Sequence, residues 1–190
     1  MKLLLACLLC SSFLCAQSTM KYTANPTQPF GKINPTAPPE TADYAPLIGT
    51  CDCTSTTRKA DQSWAEPQDM TWTFKYIMNG NAVQDETLKE DGSHSGSIRQ
   101  FVADSSRWYV HYYSNTAPTP ILSAWEGGKR GDSIVLYRAQ KAPNGTEGFF
   151  RITFSNISDE GFNWLGEWVN TNETFRFPTW KIVCTKTEDD

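Results

Sequence analysis

The chain has 190 residues, 39% hydrophobic and 13% aromatic, with a net charge of −4 at pH 7. That length suffices for one ordinary domain with a real core. An acidic chain without basic blocks argues against nucleic acid and anionic membrane as partners, and no stretch approaches the ~20 apolar residues of a membrane helix.

Residues 1–16 read as a cleaved signal peptide. Lys2 supplies a positive start, residues 3–14 form an apolar run too short to span a bilayer, and Ala16-Gln17-Ser18 offers small residues for cleavage after Ala16 or Ser18. Cys7, Cys10 and Cys15 raise lipidation as an alternative. The bulky Leu14 before Cys15 and the early position of Cys7 argue against it. The protein is therefore expected to be exported, either periplasmic or secreted, in an oxidising compartment. Loss of the leader leaves Cys51, Cys53 and Cys184, which suggests one bridge and one remaining thiol.

Residues 17–45 are Pro-rich and almost without aliphatic side chains, so they are expected to form a linker or arm outside the domain. A short helical turn near residues 42–47 leads into the domain, which is placed at 46–187, and residues 188–190 form an acidic tail.

From Leu47 onward the chain reads as short strands between turn signals, without a convincing helix. Met70, Trp72, Phe74, Tyr76 and Met78 alternate with polar or smaller residues, a period of two with one strongly apolar face. Asn79-Gly80 follows as a hairpin turn. It pairs Tyr76 with Val83, Phe74 with Asp85 and Trp72 with Thr87, which brings the Asp85 carboxylate to the apolar face, where it needs a partner. A second hairpin turns at Asp104-Ser105-Ser106. A three-residue loop there pairs Val102 with Trp108 and sets Arg99 opposite His111, on one face with Tyr109 and Tyr113. A third hairpin surrounds Gly127-Gly128-Lys129-Arg130-Gly131. In a fourth, Phe154 meets Trp164, and Arg151 meets Glu167 as an exposed cross-strand pair. The closing strand is placed at Trp180–Lys186. The expected fold is all-β: an antiparallel up-and-down barrel of nine or ten strands, since closure removes sticky edges. In such a meander the first and last strands are neighbours, so either Cys51 or Cys53 can reach Cys184.

Metal and cofactor signals are weak. The two histidines, His94 and His111, are far apart, and Cys51-x-Cys53 on one strand is not a zinc spacing, so no metal and no cofactor are expected. Neither a nucleophile elbow nor a phosphate-binding loop occurs.

Leu47-Ile48-Gly49-Thr50-Cys51 resembles the opening strand of lipocalin-like (calycin) barrels, where Gly-x-Trp begins the first strand and the Trp plugs one end. Cys51 holds the Trp position here. The Trp72 strand with Asn79-Gly80-Asn81-Ala82-Val83, then Ser97-Ile98-Arg99-Gln100 before Trp108, Phe162-Asn163-Trp164 and the closing Trp180-Lys181-Ile182-Val183-Cys184 extend the likeness. Over roughly residues 44–186 the chain is similar to a family of exported bacterial proteins of unknown function with a calycin-like barrel. The resemblance implies an open-ended binding cavity and no particular reaction. It also aims Cys51 into the core, which leaves Cys53 as the expected partner of Cys184.

The first functional expectation is a barrel that binds a small hydrophobic or amphipathic molecule in its lumen. The candidate lining residues are Trp72, Phe74, Tyr76, Asp85, Arg99, Tyr109, His111 and Tyr113. A cationic, aromatic pocket of this kind suits a carboxylate. One alternative is a calycin-type enzyme using Asp85, His111 or Glu167 as acid or base. The other is a surface or interaction protein whose barrel is filled by its own side chains.

Overall fold

The computed structural model describes residues 20–187. Ten strands in chain order, β1 (Gly49–Thr57), β2 (Gln68–Ile77), β3 (Ala82–Lys89), β4 (His94–Val102), β5 (Arg107–Ser114), β6 (Ser123–Arg130), β7 (Ser133–Ala139), β8 (Gly148–Ser158), β9 (Gly161–Asn170) and β10 (Arg176–Lys186), each pair antiparallel with the next. β10 returns to pair with β1 and closes the barrel. Period-two burial runs through it. In β2, Met70, Trp72, Phe74 and Tyr76 are buried while Thr71 is exposed and Thr73 and Lys75 are half-buried.

Turn chemistry sets the registers. At the first hairpin, Tyr76 pairs with Val83, Phe74 with Asp85 and Trp72 with Thr87, as the Asn-Gly signal predicts. The ladder ends at Ile77 and Ala82, with Met78, Asn79 and Gly80 all at positive φ. The β8–β9 register also follows the expectation: Phe154 faces Trp164, Ile152 faces Gly166 and Arg151 faces Glu167.

Two readings need correction. The Gly127-Gly128 pair lies inside β6, not in the loop, and the actual turn is Gly131-Asp132. Gly127 is required there because a Cβ would fall 2.1 Å from the Val135 carbonyl oxygen of the neighbouring strand. The β4–β5 loop has four residues, Ala103–Ser106, of which Ala103–Ser105 form a 3-10 turn and Ser106 is left-handed at φ 51°. The register slips by one residue from that expected, so Phe101 pairs with Trp108 and Arg99 with Val110. A one-residue slip reverses which face each side chain takes relative to its partner strand.

The parity of the strands gives the barrel two unlike ends. The β2–β3, β4–β5, β6–β7 and β8–β9 turns lie at one end, and the longer loops after β1, β5 and β7 at the other. The N-terminal segment seals the end with the short turns. Tyr76 N–H donates to the Phe30 carbonyl at 2.8 Å and Asn34 N–H to the Gly80 carbonyl at 3.1 Å. The chain then enters a 3-10 helix, Pro39–Leu47, with Pro39 at its start, and buries Thr41, Tyr44 and Leu47 completely. The Tyr44 ring meets Trp108 edge-on at 4.7 Å, and Trp108 Nε1 donates to Asp43. Core residues therefore lie on the N-terminal side of the boundary drawn at residue 46. The expected leader (residues 1–16) and acidic tail (residues 188–190) lie outside the described residues.

Cys53 and Cys184 face each other across the β1–β10 seam and form a disulfide, with Cα atoms 4.1 Å apart. Cys51 remains a thiol. It is fully buried, and burial pushes its pKa up to about 11.

Candidate functional site

The inward residues of the strands leave a cavity of about 470 Å³ in the lumen, between the sealed end and the loop-bearing mouth. Its walls differ. β3, β4 and β5 contribute hydroxyls from Thr87, Ser95, Ser97 and Ser114, whereas β6, β8 and β9 present Trp125, Phe150, Phe154 and Trp164. Gly166 makes the aromatic wall possible. A Cβ there would lie 2.7 Å from the Trp164 ring and 2.8 Å from the Phe150 ring, so those rings close over bare backbone.

At the floor, Asp85 accepts hydrogen bonds from Arg99 Nη2 at 2.5 Å and Trp72 Nε1 at 2.9 Å. Asp85 and Arg99 are each 3% exposed. The Arg99 guanidinium lies 5.1 Å from the Tyr44 ring, with Phe154 and Phe74 at 5.4 and 5.5 Å. Burial pulls the Arg99 pKa down, but the charge and hydrogen bond of Asp85 outweigh it, and the guanidinium is held in its charged form. The ring of Tyr44 is so deeply buried that its hydroxyl pKa is raised even beside this cation.

The candidate residues divide into two sets. Trp72, Asp85 and Arg99 line the cavity. Phe74 and Tyr76 point inward on the same strand face, in the core. Tyr109, His111 and Tyr113 alternate with Trp108, Val110 and Tyr112, and it is the second trio that faces the interior. The β4–β5 slip puts the first trio on the outer face, where Tyr113 covers Gly96 and accepts from Gln84 Nε2 at 2.7 Å. The expected Arg99–His111 juxtaposition does not form. Among the proposed acid–base residues, Asp85 is thus engaged by two donors, while His111 and Glu167 lie outside the lumen.

Glu167 departs from its expected exposure. It sits on the outer face of β9 but is fully buried beneath a cluster of side chains. Arg151 Nη2 and Arg176 Nη2 donate to it at 2.7 and 2.9 Å, and Arg151 also binds Glu173. Burial alone would raise the Glu167 pKa, but the hydrogen bonds from Arg176 and Arg151 outweigh it and hold the carboxyl below the usual range. A depressed folded pKa contributes stability that is complete above the unfolded value of about 4.3 and is lost as pH falls through the folded one. Glu167→Gln should therefore cost about 1.5–3 kcal/mol at pH 7. Urea unfolding at pH 7 and at pH 3 should show the gap from wild type narrowing at the lower pH; an unchanged gap would sink this assignment.

Sequence reasoning missed Trp125, Phe150 and Arg138 as lining residues and Tyr44 as the floor. Arg138 shares its strand parity with the buried Ile134 and Leu136, so the period-two rule would have found it. Tyr44, one of three widely spaced aromatics in a Pro-rich stretch (with Tyr22 and Phe30), carried no periodic signal.

No family model and no curated protein matches the chain. Among solved structures it is similar to the crystal structure of Rv2717c from M. tuberculosis, at 12% identity and a TM-score of 0.51, with 80% of this chain and 99% of that one covered. The likeness is one of fold. A redesigned β-barrel aligns over 77% of the chain and 96% of its own length at 11% identity, but with a TM-score of only 0.32. None of the helices among the described residues is long and apolar enough to cross a membrane.

Proposed function

We propose that this protein is an exported, calycin-like barrel that binds a small amphipathic molecule in its lumen. The carrying observation is a cavity of about 470 Å³ with one aromatic and one hydroxyl-bearing wall. That size falls within the ~300–1,000 Å³ range of small-ligand sites, and the space left open counts against a barrel filled by its own side chains. The Cys53–Cys184 bridge is compatible with an oxidising compartment, as the leader-like sequence suggests. A catalytic reading draws less support, because Asp85 is tied to Arg99 and Trp72, and neither His111 nor Glu167 shares the cavity.

The test uses 1-anilinonaphthalene-8-sulfonate, whose fluorescence rises on leaving water. Wild type should show saturable, one-site binding. Ser95→Trp, which fills the hydroxyl wall, should abolish it while keeping a cooperative melt. Weak multi-site binding, indifferent to Ser95→Trp, would refute the lumen reading.

A further inference from the structure

The lumen holds more positive than negative charge, although the chain as a whole is acidic. Lys89, Arg99 and Arg138 line the cavity against a single carboxylate, Asp85. Arg99 is neutralised by Asp85 at the floor. At the mouth, Lys89 Nζ donates to Gln68 at 3.3 Å and His94 lies 3.8 Å from Glu86. Arg138 stands apart. Among the described residues no carboxylate pairs with it, and its one side-chain hydrogen bond is a long 3.4 Å contact to Gln140. Its guanidinium lies 4.4 Å over the Trp125 ring, and its strand neighbour on β8 is Phe150. Aromatic walls thus hold the cation half-buried, and the lost hydration pulls its pKa down.

A guanidinium carries five donors in a rigid fork suited to a planar anion. Here, among the described residues, most of the fork makes no hydrogen bond, and the guanidinium is half-buried against Trp125. Resting on the lumen reading, we propose that Arg138, stacked on Trp125, is the subsite for a single anionic group, carboxylate or sulfonate. The ligand is then an amphipathic monoanion. Its head binds at Arg138, and its apolar body lies along Phe150, Ile152, Phe154 and Trp164.

Two probes with one ring system isolate the charge: anionic 1-anilinonaphthalene-8-sulfonate and neutral N-phenyl-1-naphthylamine. Arg138→Gln should weaken the anion about tenfold or more, the effect of losing a charged hydrogen-bond partner, and leave the neutral probe within about twofold. Arg107→Gln, an exposed change of equal charge, should alter neither. Equal effects of Arg138→Gln on both probes, or none on either, would overturn the subsite while leaving the lumen reading intact. Failure of both probes to bind wild type would overturn both. A measurement on wild type does not depend on the variant folding: octanoate should displace the bound neutral probe at roughly tenfold lower concentration than octanol, and equal potency would reject the proposal.

Discussion

Replacing Asp85 with Ala should cost about 3–5 kcal/mol, because it strands the Arg99 charge inside the barrel without a counter-ion. Arg99 is 3% exposed and ringed by Tyr44, Phe74 and Phe154, none of which can take over the role of a carboxylate. The Trp72 indole N–H would lose its acceptor as well. The paired replacement Asp85→Ala with Arg99→Met should recover a clear part of that loss, since it removes the stranded charge and leaves only the Trp72 N–H and the smaller side chain at residue 85 uncompensated. The Lys141–Glu147 pair makes a useful contrast. Both of its side chains are 66% exposed, and Glu147→Ala should change stability by less than about 1 kcal/mol. Urea unfolding of the single and double variants decides the matter: a double variant as weak as Asp85→Ala would show that the loss comes from something other than the stranded charge.

Removing the Cys53–Cys184 bridge should be comparably costly. The bond joins residues separated by 131 positions, and restricting so long a loop in the unfolded chain stabilises the folded one by up to about 5 kcal/mol. Domains are typically stable by only ~5–15 kcal/mol, so Cys184→Ser puts a large fraction of the total at stake. The bridge also spans the seam at which the first strand meets the last. Without it, the β1–β10 backbone ladder and its packing alone keep the barrel shut. Thermal melts of Cys184→Ser and of wild type with and without reductant should agree in showing the loss. A melting temperature unmoved by both treatments would mean that the bond adds nothing.

Much of this architecture was legible in the sequence because two local rules agree with the global fold. Alternation in β2 fixes its inward face, and Asn79-Gly80 fixes the partner register, so Trp72, Phe74 and Asp85 could be placed from the chain alone. The β4–β5 hairpin was harder. Asp104-Ser105-Ser106 does not say whether the loop has three residues or four, and that single residue decides whether His111 or Val110 lies opposite Arg99. Tyr44 was hidden for another reason. Its burial depends on a non-local contact with Trp108 across the sealed end, which leaves no trace in local periodicity. For the site, the floor pair was foreseeable from strand pairing, but that no carboxylate among the described residues pairs with Arg138 is a three-dimensional fact.

An even number of strands has a consequence for orientation. Tyr22 binds Asn79 at the β2–β3 turn, and Thr187 binds Thr50 at the start of β1, so both ends of the described chain emerge beside the sealed floor. Anything joined to the described chain at either end therefore attaches at the closed pole, opposite the opening. The loops around that opening lie at the far pole from both attachment points. Substitutions in those loops therefore leave the contacts of Tyr22 and Thr187 untouched.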